Sequence, residues 1–180
     1  MDHKRLSHEE AMQAIYIKGR DNARTPVQWD DSANGGFSPE GVTTWINVNP
    51  NYPEINAEAV LADPDSVFYH YQHLVNLRRG ELKDLMVYAS FAPVDSVQVP
   101  HNEDEAVYAY TRTGGADGSP ANESLLVISN FTAEEQERDF AVLAEAREAG
   151  ARVELVSSNY KDDAGSTLRP YEAKVYHIVR

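Results

Sequence analysis

Arg20 and Arg24 stand four residues apart in a stretch that also holds Asp21, Gln28, Trp29 and Asp30. A guanidinium is planar, keeps its charge and offers five donors in a fixed fork, which suits it to grip vicinal sugar hydroxyls or a carboxylate. The same groups also make structural ion pairs with Asp21 or Asp30, and a spacing of four in a loop does not put two arginines on one face. Trp29 and Trp45 present rings on which a sugar can stack, or that can pack the underside of a loop. The acidic pairs Glu9-Glu10, Asp30-Asp31 and Asp162-Asp163 and the run from Glu103 to Glu105 are expected in caps and turns, since adjacency in sequence does not make a catalytic dyad. Oxygen ligands cluster at His101 to Glu105 and at Asn159 to Asp163, but without the spacing of a calcium loop. The six histidines form no ligand pattern either. Neither a metal nor a cofactor is expected.

The elements that must carry these residues belong to a globular chain of 180 residues, 42% hydrophobic and 25% charged, with a mean hydropathy of -0.53. A formal net charge of -13 opposes binding to nucleic acid or to an acidic membrane surface, because phosphates must be met by cations. A neutral sugar pays no such penalty. The absence of cysteine excludes disulfides, thiolate nucleophiles and thiolate metal sites. No stretch approaches the roughly 18 apolar residues of a membrane span, and residues 1 to 20 hold charges throughout, so a cytoplasmic setting is expected.

Ser7 with Glu10 three residues on matches a capping box, and Ala11, Ala14 and Ile15 recur at helical spacing, which predicts a helix over 7–18 ended by Gly19. From Arg20 to Pro53 the chain is dense in Asp, Asn, Gly and Pro and is expected as one long irregular segment, a length that usually accompanies function. Val67, Tyr71, Leu74, Val75 and Arg78 share one face of a predicted helix over 65–79, stopped by Gly80. Short β-type runs follow at 85–91, 97–99, 106–111, 125–130, 138–142, 152–157 and 175–179. Turn clusters separate them, at Gly114 to Pro120 and Lys161 to Gly165. Many short strands spaced this way predict an antiparallel sandwich, with a boundary near residue 81.

The string from Arg20 to Asp30, Arg-Asp-Asn-Ala-Arg-Thr-Pro-Val-Gln-Trp-Asp, resembles a signature of bacterial oligo-1,6-glucosidases and related α-glucosidases of glycoside hydrolase family 13, with Val27 where methionine is usual. Gly36-Phe37, Thr44 to Ile46, Val48 to Tyr52 and Glu54 to Asn56 follow in the family's order, and Asp63 to Arg79 resembles the last helix of its (β/α)8 barrel. Val107 to Tyr110, Leu126 to Phe131 and Leu168 to Ala173 resemble strands of its C-terminal domain. The resemblance implies a mainly β chain: residues 1–81 as the C-terminal remnant of a (β/α)8 catalytic barrel, contributing its last loop and helices, and 82–180 as a C-terminal Greek-key antiparallel β-sandwich.

It also implies a retaining, exo-acting parent α-glucosidase, cytoplasmic and bacterial, that hydrolyses short oligosaccharides. Retention needs two carboxyl groups about 5 to 5.5 Å apart. The family's nucleophile lies in a Gly-x-Arg-x-Asp strand end and its stabilising aspartate in an Asn-His-Asp triplet, and neither string occurs in this sequence. No catalytic residue is therefore assigned, and the chain alone is expected to be inactive. By the same resemblance Arg24 hydrogen-bonds the glucose at the non-reducing end, Asp21 orients Arg24 or Arg20, and Gln28 and Trp29 brace the loop. The implied partners are an α-glucosidic oligosaccharide and the remainder of the barrel. Isomaltose, sucrose, maltose and trehalose-6-phosphate are told apart by other barrel loops. The alternative is a non-catalytic β-sandwich that binds carbohydrate or stabilises a neighbouring domain. Exposed coplanar rings among Tyr88, Tyr108, Tyr110, Tyr160, Tyr171 and Tyr176 would favour carbohydrate binding; buried rings would favour stabilisation.

Overall fold

The reciprocal bonds of a capping box start the first helix, α1 (His8–Lys18): the Glu10 amide donates to Ser7 Oγ at 3.2 Å and the Ser7 amide to Glu10 Oε2 at 2.8 Å. Gly19 ends it by donating to the Ile15 carbonyl, where a Cβ would come within 2.5 Å of that oxygen. The computed structural model describes residues 6–115 and 119–180, and by contact the chain divides into two units, 1–69 and 70–180. Residues 116–118 of the predicted Gly114 to Pro120 turn lie outside the described residues.

In the first unit α1 buries none of its residues, and Ile15, Tyr16 and Ile17 are exposed. The predicted irregular segment contains two 3-10 turns, Asp21–Ala23 and Ala33–Gly36. After it comes a helix that the periodicity analysis does not separate from the loop, α2 (Ala57–Ala62). Asn56 caps it by accepting from the Ala59 amide at 2.8 Å while its own amide donates to Tyr52 O at 2.9 Å. Six residues are too few to show a helical period, so the cap is the only local signal. Ser66 bonds back to Val60 O at 2.7 Å, and α3 (Val67–Arg79) follows, close to the predicted 65–79.

The second unit is built on antiparallel pairing. Its elements are α4 (Lys83–Val87), β1 (Ser90–Pro93), β2 (Val107–Thr113), β3 (Glu123–Asn130), β4 (Gln136–Glu137), α5 (Ala141–Glu148), β5 (Arg152–Ser158), β6 (Thr167–Leu168) and β7 (Ala173–Val179). One five-stranded sheet runs β1-β2-β3-β7-β5, and β4 pairs with β6 in a smaller second sheet. The last strand thus enters between β3 and β5, so the chain after β3 leaves the sheet and returns at its far edge. Burial alternates along β2 and β7, the period-2 pattern that places one face on a core.

Two clusters fill the two faces. Val107, Ala109, Leu126, Ile128, Tyr176 and Ile178 meet Phe140, Leu143 and Ala146 from the α5 side and Leu168 from β6. Leu125, next to Leu126, points the other way and packs with Leu82, Leu85 and Ala89. Central β3 is therefore buried on both faces, which explains why 124–126 lack polar alternation. Three predicted strands differ in the structure. The run at 85–91 begins as α4, because one helical turn brings Leu82, Leu85 and Ala89 onto Leu125 together. The run at 97–99 is a turn closed by Ser96 and Val99. The run at 138–142 leads into α5, whose inward residues Leu143 and Ala146 are three apart, a helical and not a strand spacing.

Candidate functional site

Arg24 follows the first 3-10 turn, held there by backbone bonds from the Ala23 amide to Arg20 O at 3.2 Å and from the Arg24 amide to Asp21 O at 3.0 Å. Its side chain is exposed and lines an open cleft of about 360 Å3 with Thr25, Pro26, Val27, Phe37, Thr44, Trp45 and Ile46. Trp45 is fully exposed, at 100%. Among the described residues no side-chain hydrogen bond or ion pair engages Arg20, Asp21 or Arg24. Arg24 is held in the turn through its backbone amide, bonded to Asp21 O. Arg20 and Asp21 lie outside the cleft lining.

The floor beside the cleft is braced by polar bonds in place of a hydrophobic core. Gln28 O accepts from the Ala57 amide at 2.9 Å and Trp29 O from the Glu58 amide at 3.0 Å, and the Trp29 amide donates to Gly35 O at 2.7 Å. The Gln28 side chain adds a bond to Asn51 Oδ1 at 3.1 Å and one to Ile55 O. Trp29 braces through its backbone, and its ring is about half exposed, at 54%. Opposite, Asn34 and Gly35 take left-handed φ values of 54° and 61°, a conformation that Asn and Gly adopt at least strain. The Asn34 amide then donates to Ser38 Oγ, Pro39 O and Val42 O at 3.0 to 3.1 Å, tying down the chain that leads to Thr44 and Trp45.

Asp30 sits under this turn. The Ser32 hydroxyl and the Ser32 amide donate to it and hold its carboxyl below the usual range, so it stays ionised near neutrality and has no proton to give as a general acid. No Asp or Glu lines the Arg24 cleft. The arrangement offers cationic donors and aromatic surface for binding, and no paired carboxylates for bond cleavage. Among the described residues no group of three or more His, Asp or Glu could hold a metal ion, and no helix is long and apolar enough to cross a membrane.

Of the cleft-lining residues, the sequence pattern singles out Arg24 as a sugar-reading group and Trp45 as a ring that could stack or pack, but gives Phe37 no role at the site. The Asn34-Gly35-Gly36 triplet is the available signal, since a left-handed turn there precedes Phe37, which lines the cleft with Arg24. On the β sheet, Phe91, Tyr110 and Tyr108 form a row with centroids 5.2 and 5.8 Å apart, tilted by 40° and 43°. Tyr88, Tyr108 and Tyr171 are exposed, and Tyr176 is buried.

The family described as alpha amylase, catalytic domain, matches residues 1–88. Over 175 residues the chain is 43% identical to an oligo-1,6-glucosidase of Parageobacillus thermoglucosidasius, covering 94% of this chain and 28% of that protein. It is 37% identical over 178 residues to a trehalose-6-phosphate hydrolase of Bacillus subtilis, covering 98% of this chain and 29% of the relative. A crystal structure of the Bacillus licheniformis trehalose-6-phosphate hydrolase superposes with a TM-score of 0.77 at 37% identity, over 95% of this chain and 28% of that one. An isomaltulose synthase from Klebsiella sp. LX3 superposes at 0.72 with 30% identity, over 96% and 28%. The chain thus spans less than a third of the length of these relatives. It belongs to the alpha-amylase family, glycoside hydrolase family 13, and is similar to the C-terminal part of these relatives, the last loop and helices of the (β/α)8 barrel followed by an antiparallel β domain.

Proposed function

We propose that this chain works as part of a retaining, exo-acting α-glucosidase of the oligo-1,6-glucosidase type, in which it supplies the rim of the sugar pocket and not the cleaving carboxylates. Residues 1–81 complete the catalytic barrel and 82–180 form the β-sandwich that follows it in the chain. The observation that carries this reading is Arg24: a charged fork on a braced turn, unpaired within the described residues, facing a cleft that contains Trp45 and no acid. An exposed guanidinium with no internal partner is free to donate to a ligand. Donors fixed on the terminal hydroxyls of a glucose favour cleavage of one unit at a time, because an internal sugar has a neighbour where the arginine must stand. Trp45 offers its ring as a stacking face for a sugar in the same cleft.

The relatives named oligo-1,6-glucosidase, all from bacteria, support an α-1,6-linked glucoside as substrate, and the remainder of the barrel is the partner that would bring the carboxylates. The alternative, a sugar-binding β module, gains little from the sheet: rings tilted by 40° and 43° make a stepped surface, whereas a pyranose face stacks on a flat one. The test is direct. Purified 1–180 incubated with an aryl α-glucoside should release no aglycone above the uncatalysed rate, and measurable turnover would overturn the division of labour proposed here.

A further inference from the structure

The segment 159–167, the β5–β6 connection together with the first residue of β6, is closed by a side chain that strands rarely bury. Lys174 on β7 is fully buried, at 0% exposure. An ammonium out of water must be matched by close oxygens or its desolvation goes uncompensated. Lys174 Nζ has four: Gly165 O at 3.0 Å, Asp163 Oδ1 at 3.1 Å, Thr167 O at 3.2 Å and Glu172 Oε1 at 3.5 Å. Three of the four come from the segment itself. Asp163 is shared further, accepting from Tyr176 Oη at 2.8 Å and from the Gly165 amide at 3.0 Å. The buried Glu172 faces Lys174 from the other side and is gripped by the Arg169 amide at 2.7 Å and its guanidinium at 2.8 and 3.1 Å. Arg169 lies over the Tyr160 ring at 4.0 Å and reaches Asp162 at 2.8 Å.

We infer that the Lys174 ammonium serves as an internal cation that latches residues 159–167 as a strap over the edge of the core. The strap's other ties lie at its two ends: Asn159, Tyr160 and Asp162 bond to Tyr171, Ala173, Pro170 and Arg169, and Ser166 and Thr167 hydroxyls bond the exposed Glu137 while the Arg138 amide donates to Ser166 O at 3.0 Å. Fastened, it seats Leu168 in the core and, through Gly165 and Ser166, walls a cavity of about 140 Å3 also lined by Phe140, Leu143 and Tyr176. Without the ammonium, the Gly165 and Thr167 carbonyls lose their shared donor, and Asp163 and Glu172 face one another with no cation between them. Charge, more than packing, keeps the strap down.

Amide hydrogen exchange on the chain tests this. Lys174→Met keeps the length of the side chain and removes the charge; the Arg138 amide, which reports the strap, should exchange at least tenfold faster, while the β3 amides change less than twofold. Asp163→Asn, close to isosteric, should act in the same direction with a smaller effect and serves alone if Lys174→Met does not fold. The double variant should exchange more slowly at Arg138 than Lys174→Met, or regain folding if that variant has lost it, because removing both partners leaves no orphaned charge. Equal acceleration at Arg138 and β3, no acceleration in Asp163→Asn, or effects that simply multiply in the double variant would each overturn the latch.

Discussion

The two units hold their shapes by different means. In 70–180, Leu126, Ile178 and Ala146 are fully buried and a sheet is packed on both faces. In 1–69 the only buried residues among those described are Gly35, Asn56 and Ser66, and order comes from capping bonds, left-handed turns and the Asn34 and Gln28 amides. Meanwhile Ile15, Tyr16, Ile17, Trp45 and Val67 stand in solvent. Polar bonds can set a loop's geometry, but net contributions of about 1 kcal/mol each do not replace a core. The difference teaches that the β unit is a self-sufficient fold, whereas the first unit is a preformed surface whose apolar side chains suit it to larger surroundings. The proposed sugar-binding Arg24 lies on that surface.

The largest effect expected from this contrast is in the β unit. Leu126→Ala should lower unfolding free energy in urea by about 2–5 kcal/mol, as deletion of a buried side chain leaves a cavity; a loss under about 1 kcal/mol would mean that the core collapses to fill it. Acid should strike the same unit next. At Asp104, Asp163 and Glu172 burial pushes the carboxyl up, but bonds from Arg138, from Tyr176 and Lys174, and from Arg169 respectively outweigh it and hold each below its usual range. Because the folded values are depressed, their contribution is present above the unfolded values near about 4 and is lost as pH falls through the folded ones. The urea midpoint should therefore be flat from about pH 6 to 8 and fall below about pH 4; a midpoint that rises on acidification would break the account.

A smaller, local effect is expected in the first unit. Gly36 has φ 67°, and a Cβ there would come within 2.6 to 2.8 Å of the Asp30 carboxylate. Gly36→Ala should cost the turn about 1–2 kcal/mol, seen as roughly tenfold faster exchange of the Trp29 amide with no change in the β unit's urea midpoint. The smallest is Ile15→Ala on the exposed face of α1, which should stay within about 0.5 kcal/mol of the parent chain. A large loss there would show that the first unit has a core after all.

What could be read in advance cuts across the two units. The capping box at Ser7 and Glu10, the helix ending at Gly80 and the alternation in β2 and β7 are local patterns with one structural solution, so they were legible. The strands expected at 85–91 and 138–142 were not, because Leu82, Leu85, Leu143 and Ala146 turn helical to reach Leu125 and Leu126, a tertiary demand that overrides local β character. At the cleft, type and spacing left Arg24 and Trp45 open between binding and structural roles, and only the family resemblance singled out Arg24, while Phe37 depended on the backbone turn at Asn34 and Gly35. Lys174 was invisible: its burial depends on Asp163 and Gly165 arriving from another segment.

The central claim is that Arg24 reads the terminal glucose without taking part in bond cleavage. Grafting residues 1–180 in place of the matching segment of the Parageobacillus thermoglucosidasius oligo-1,6-glucosidase would supply the carboxylates, and kcat/KM for isomaltose can then be compared with and without Arg24→Ala. A drop of roughly 10²-fold, about 3 kcal/mol, is predicted. An active graft whose kcat/KM is unchanged by Arg24→Ala would contradict it.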